Sequence, residues 1–150
     1  MSEIIYLTRI ETFSAAHRLH SVHYSDDENV LIYGKCNNKY GHGHNYVLHV
    51  TISGKLDYRS GMLMNITDLK SLIKTEIIDE LDHKHLDMDV EYFRNGQIVS
   101  TTENLCIYIW KKLEKALNTF NNDKNQNQSI KLYEIKIHET DKNTVTYRGE

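Results

Sequence analysis

Between residues 4 and 17 the chain alternates, with Ile5, Leu7, Arg9, Glu11, Phe13, Ala15 and His17 on one parity, and this period of two predicts a strand. A second alternation sets His44, Tyr46, Leu48, Val50 and Ile52 against Asn45, Val47, His49, Thr51 and Ser53, which predicts a strand over roughly residues 44–54. Leu56 to Gly61 reads as a turn and Met62-Leu63-Met64 as a short strand. The period then changes. Leu69, Leu72, Ile73, Glu76, Ile77 and Leu81 fall near helical spacing, predicting a helix from about 66 to 81 with Asp68 in its first turn. A second helix, about 102–117, opens on Ser100-Thr101-Thr102-Glu103 as a capping start and carries Leu105, Ile109, Leu113 and Leu117. Residues 118–129 are rich in Asn, Gln and Asp without an apolar period, and read as a solvated, flexible loop. Two strands close the chain, 130–139 and 144–148, joined by a turn at 140–143.

The order strand, strand, helix, helix, strand, strand contains no internal repeat and no βαβ alternation. It predicts an α+β domain with helices on one face of an antiparallel sheet. The 150 residues fit a single domain spanning 1–150.

Composition narrows the function. With 18 basic and 21 acidic side chains the net charge is −3, which argues against an electrostatic grip on nucleic acid or an anionic membrane and favours a small polar ligand. The first residues lack a basic segment followed by an apolar run, and no apolar stretch is long enough to cross a bilayer. The two cysteines, Cys36 and Cys106, make a poor disulfide framework. A cytoplasmic protein with reduced thiols is expected.

The densest chemistry lies in Cys36-Asn37-Asn38-Lys39-Tyr40-Gly41-His42-Gly43-His44. In an extended chain side chains two apart point the same way, so His42 and His44 can grip one metal ion between glycines that leave it room. A catalytic zinc site ordinarily has three protein ligands and one open position, and the strand histidine His17 is the third candidate. His83-Lys84-His85 with Asp87 and Asp89 is a rival cluster at a helix end. His20, His23 and His49 read as surface residues.

Cys36 has three open roles, as base, nucleophile or fourth ligand, whereas the helical spacing of Cys106 makes it a core residue. Asp82-His83 has the form of a carboxylate that fixes the tautomer of a proton-exchanging imidazole. Glu139 ends the row Tyr133, Ile135, Ile137, Glu139 on one face of its strand. A buried carboxylate needs a partner: an internal Lys or Arg, or a ligand with two adjacent N–H donors such as the aminopyrimidinone edge of a pterin or guanine.

Taken together, eight stretches carry a resemblance over almost the whole chain: Phe13–Leu19, Gly34–Asn38, Gly41–Tyr46, Gly61–Ile66, Leu81–His83, Leu86–Val90, Ser100–Asn104 and Glu139–Asp141. In order and content they resemble the 6-pyruvoyl-tetrahydropterin synthase family. The resemblance implies zinc held by His17, His42 and His44, a catalytic thiol at Cys36 assisted by Asp82 and His83, and a pterin anchored by Glu139 in a pocket lined by Thr101, Thr102 and Glu103. It implies the tunnelling fold, a four-stranded antiparallel sheet with two helices on one face, three of which close into a barrel, and two trimers stacked as a homohexamer with active sites at subunit contacts. The implied reaction converts 7,8-dihydroneopterin triphosphate to 6-pyruvoyl-tetrahydropterin and triphosphate, on the way to tetrahydrobiopterin. The interval from Cys36 to His42 favours this reading over 6-carboxy-tetrahydropterin synthase of the queuosine pathway. Cys36 itself argues against relatives that carry Glu there, and Cys36, Asp82 and His83 together argue against a non-catalytic zinc or pterin-binding module. Residues 121–129, Asn95-Gly96 and His85 depart from the family pattern.

Overall fold

The computed structural model describes residues 3–124 and 130–150. Two 13-residue strands, β1 (Ile5–His17) and β2 (His42–Gly54), pair antiparallel along their whole length, with Ile5 opposite Gly54 and His17 opposite His42. Between them run α1 (Asp26–Tyr33) and a 3-10 turn (Gly34–Asn37). After β2 come α2 (Ile66–Ile73), a π-helical turn (Lys74–Ile78) and α3 (Asp79–Leu81). There follow β3 (Lys84–His85), α4 (Leu86–Asp89), α5 (Glu91–Arg94), the long α6 (Thr102–Asp123), β4 (Lys131–His138) and β5 (Thr144–Tyr147). The sheet order is β3-β1-β2-β4-β5.

The alternation delivers what it predicts. Phe13, Ala15 and His17 from β1, Tyr46, Leu48, Val50 and Ile52 from β2, and Ile135 and Ile137 from β4 are buried on one face. Leu69, Ile73, Ile77 and Leu81 pack there with Leu105, Ile109, Leu113 and Leu117 of α6. Burying a side chain the size of leucine contributes roughly 1.5–3 kcal/mol, so this one layer dominates the favourable side of folding.

Several expectations are corrected. The sheet has five strands, because Lys84–His85 adds a parallel edge to Ala15–Ala16; two residues are too few for a periodicity to reveal. Residues 66–81 are not one regular helix. The buried positions 69, 73, 77 and 81 are spaced by four, and each such step overshoots an α-helical turn by about 40°, which the wider π turn absorbs. Met62-Leu63-Met64 forms no strand, although Leu63 and Met64 tuck into the core. Residues 118–123, expected as loop, continue α6, with Phe120 packed against the core and Asn121 donating to the Ile130 carbonyl at 2.9 Å. The remainder of that expected loop, 125–129, lies outside the described residues. On β4 the parity fails at Tyr133. The register shifts between Thr51 and Ile52, so Leu132 turns inward while Tyr133 lies outside, edge-on to Tyr6 at 4.6 Å.

Candidate active site

Three imidazoles converge where β1 ends and β2 begins. His17 is opposite His42 and Ala15 opposite His44 in the strand register, and all three side chains point to the core side. One ligand atom from each lies within 4.8 Å of the others, and His17 Nε2 stands 3.1 Å from His42 Nε2. The Ser100 carbonyl, just ahead of α6, lies 2.6 Å from His17 Nδ1. A carbonyl can only accept, so Nδ1 carries the proton and Nε2 is left with a bare lone pair facing the cluster. Burial, above all, keeps His17 and His42 below the ordinary histidine pKa; His44 pushes both the same way, and His42 does so for His17. Three imidazole nitrogens face one point, and His44 Nε2 is buried without a hydrogen-bond partner. This donor set fits a zinc ion with its fourth position open.

The flanking glycines serve the backbone more than the ion. Gly41 has φ +80°, and a Cβ there would sit 2.7 Å from the His17 carbonyl oxygen and 3.0 Å from His85 Nε2. A side chain at 41 would push the two strand ends apart, whereas at Gly43 the nearest approach is an ordinary 3.5 Å.

Glu139 comes next to this cluster from just past β4, its N–H tied to the Asn143 carbonyl at 3.0 Å. The hydroxyl of buried Thr102, in the first turn of α6, donates to Glu139 Oε2, and His44 Nε2 is 3.9 Å from Oε1. Its partners are thus a hydroxyl and an imidazole, not the Lys or Arg of an internal ion pair. The carboxylate keeps accepting capacity and is partly exposed. Thr101 caps α6 by accepting from Asn104 N–H at 3.2 Å, and Glu103 stands exposed on the first helical turn, where its charge suits the helix dipole.

Cys36 sits half-buried in the 3-10 turn after α1. That turn is strapped to the segment following His17: Leu19 N–H donates to the Cys36 carbonyl at 2.9 Å, Arg18 Nε to the Asn37 carbonyl at 3.0 Å, and Asn37 Nδ2 to the Leu19 carbonyl at 2.8 Å. Cys36 is not a fourth member of the histidine cluster. Cys106 is fully buried, as expected, and burial pushes its thiol up to about 12.

Asp82 and His83 form their pair at the sheet edge. Asp82 Oδ1 accepts the Ser14 N–H at 2.9 Å, Oδ2 lies 2.9 Å from His83 Nδ1, and His83 N–H donates to the Ser14 carbonyl at 2.6 Å. The Ser14 bond is the chief reason that the Asp82 carboxyl stays below its usual range, with His83 adding to it. His83 has φ +63°, unusual for a residue with a Cβ, and its side chain is 83% exposed. A cavity of about 490 Å³ is lined by His44, Asn45, Ser14, His83 and His85 among others, but not by Cys36. The rival cluster does not converge among the described residues: His83 turns to solvent, and the one group of three or more potential metal ligands brought together is His17, His42 and His44.

The model of the family described as 6-pyruvoyl tetrahydropterin synthase matches residues 6–150. The chain belongs to that family. It is 56% identical over 145 residues to the 6-pyruvoyl tetrahydrobiopterin synthase of Poecilia reticulata, covering 97% of this chain and 90% of that one. The Homo sapiens enzyme of the same name is 48% identical over 144 residues, covering 96% and 91%. A solved 6-pyruvoyl tetrahydropterin synthase from Caenorhabditis elegans superimposes with a TM-score of 0.87 at 43% identity, covering 99% of this chain and 97% of that one.

Within this family member, three contributors to the site escape sequence reasoning. The Ser100 carbonyl is a backbone atom and leaves no trace in residue types. Asn37 is visible as a letter but its role, tying the Cys36 turn to Leu19 and to His20 Nδ1 at 3.0 Å, depends on long-range folding. Ser14 supplies the N–H that anchors Asp82, again through the backbone.

Proposed function

We propose that this chain converts 7,8-dihydroneopterin triphosphate to 6-pyruvoyl-tetrahydropterin and inorganic triphosphate, a step toward tetrahydrobiopterin. The observation that carries the reading is the adjacency of a partly open carboxylate, Glu139, to three convergent imidazoles. One end recognises the two N–H donors of a pterin edge; the other faces the substituent where the chemistry occurs.

His17, His42 and His44 would hold the zinc. Zinc bound there supplies positive charge beside the side-chain oxygens, which makes the adjacent C–H more acidic. Glu139 accepts the pterin N–H donors and so fixes which carbon meets the imidazoles. The Cys36 thiolate takes the side-chain proton at Sγ. His83, held in its Nδ1–H tautomer by Asp82, exchanges protons through Nε2. Proton shifts from side chain to ring make the redox change internal, no nicotinamide is consumed, and triphosphate leaves by elimination.

Completion of the site falls to assembly into a cytoplasmic homohexamer of two stacked trimers. Two features support this. His83 projects into solvent, with Asp82 on its Nδ1 side. Among the described residues the outer edge of β1 is strand-paired at Ala15–Ala16 alone, beside exposed Ile4, Ile5, Tyr6 and Ile10.

The test is product identification after incubation with 7,8-dihydroneopterin triphosphate and zinc. The 6-pyruvoyl product and one equivalent of triphosphate are expected. A 6-carboxy or hydroxymethyl pterin as the main product would overturn the assignment.

A further inference from the structure

On the face of the sheet turned away from the helices, a second pair of imidazoles meets. His49 of β2 is in register with Lys136 of β4, and His138 of β4 with Val47 of β2, so the two histidines occupy diagonal positions on the same face. Their ring centroids are 5.0 Å apart with 44° between the planes. The three ring pairs of the active-site cluster, which do share one point, are separated by 4.7, 5.2 and 4.9 Å. The outer pair thus has the ring spacing of the active-site cluster.

Its surroundings suit that use. Thr144 Oγ1, from β5, lies 3.0 Å from His138 Nδ1. When the hydroxyl accepts from Nδ1–H, Nε2 is left bare, the device that Ser100 applies to His17. Burial first, then His138 and Lys136, holds His49 below the ordinary histidine pKa. Lys136 on this face has a counter-charge in Glu134 at 4.0 Å, which Glu134 shares with Arg148 at 2.9 Å.

We propose that His49 and His138 form a second transition-metal site, weaker than the first, that staples β2 to β4. Two imidazole nitrogens with water in the remaining positions suit Zn²⁺, Ni²⁺ and Cu²⁺ and discriminate against Mg²⁺ and Ca²⁺, which want oxygen. Two protein ligands in place of three set its affinity below that of the active-site cluster. The site is independent of which pterin product the enzyme makes.

The probe is Ni²⁺, applied by equilibrium dialysis to zinc-loaded enzyme with elemental analysis of both metals. Wild type is expected to bind one nickel per chain while keeping its zinc. His49→Gln and His138→Gln should each lose the nickel while zinc content and circular dichroism stay unchanged, and His49→Gln should keep normal turnover. Thr144→Val should weaken nickel binding about tenfold, the low end of what removing an orienting partner costs. A readout that needs no variant is protection of the wild-type residues from diethyl pyrocarbonate: nickel should shield His49 and His138 together. No nickel beyond the zinc, nickel retained by both glutamine variants, or no shielding of either histidine would each overturn the proposal.

Discussion

His17 is 1% exposed, its tautomer is set by a backbone carbonyl at 2.6 Å, and its ring already faces two others across paired strands. His83 is also oriented by a partner at 2.9 Å, yet it stands in an unfavourable backbone conformation at a sheet edge with most of its side chain in solvent. The first histidine belongs to a device that one chain finishes by folding. The second, on the function proposed above, belongs to a device that folding prepares and leaves open. Metal binding requires ligand positions held to fractions of an ångström, which a central strand pair provides. Proton exchange needs an imidazole free to meet another group, and an edge provides that.

The comparison predicts that damage to the two halves separates cleanly. The largest effect should come from His17→Ala, with zinc content falling to near zero and turnover lost, since two ligands fall short of a stable catalytic site. Chelation of wild type should do the same, and added zinc should restore it. Full zinc occupancy in His17→Ala would move the metal elsewhere.

Next in size, Cys36→Ala and His83→Ala should each lower turnover by roughly two to four powers of ten, the usual worth of a positioned proton-transfer group. Zinc content, measured on the same samples, should stay at the wild-type value. Loss of zinc in either would erase the distinction between the halves.

Glu139→Gln should weaken pterin binding by about 2–3 kcal/mol, because a charged acceptor becomes partly a donor, with zinc again retained. Calorimetry with a non-reactive pterin reads this directly; unchanged affinity would leave Glu139 as a partner of Thr102 alone. The smallest effect concerns the two thiols. Near pH 8 a single equivalent of iodoacetamide should react in the folded enzyme, at Cys36, because burial raises Cys106 to about 12 and hides it. Peptide mapping that finds Cys106 alkylated before unfolding would contradict the packing.

The same division governs what the sequence made legible. His17, His42 and His44 are readable because strand alternation converts spacing into geometry, and β1 and β2 are the most regular elements of the chain. What surrounds His83 is carried by irregular backbone, and no periodicity announces a two-residue β3 or a π turn. The helix α1 illustrates the limit from another side. Ser25 and Glu28 form a capping box, and that S-x-x-E signal stands in the sequence. Yet the helix buries chiefly Asn29, which bonds Ser21, Tyr24 and Ser25, while Leu31 is 86% exposed. A helix without an apolar stripe is invisible to a reading that starts from hydrophobic period. On β4, one bulge reversed the parity of Leu132 and Tyr133, while Ile135, Ile137 and Glu139 beyond it kept the alignment that the pattern implied.

The central claim, that Cys36 of one chain meets the exposed His83 of its neighbour, is tested most directly by mixing. Cys36→Ala and His83→Ala homomers should each be nearly inactive. Unfolded together and reassembled with zinc, they should form some sites in which an intact Cys36 faces an intact His83 from another chain. Turnover should return to a fraction of wild type set by subunit statistics. Mixed hexamers confirmed by mass that stay as inactive as both parents would contradict the shared site and confine the chemistry to a single chain.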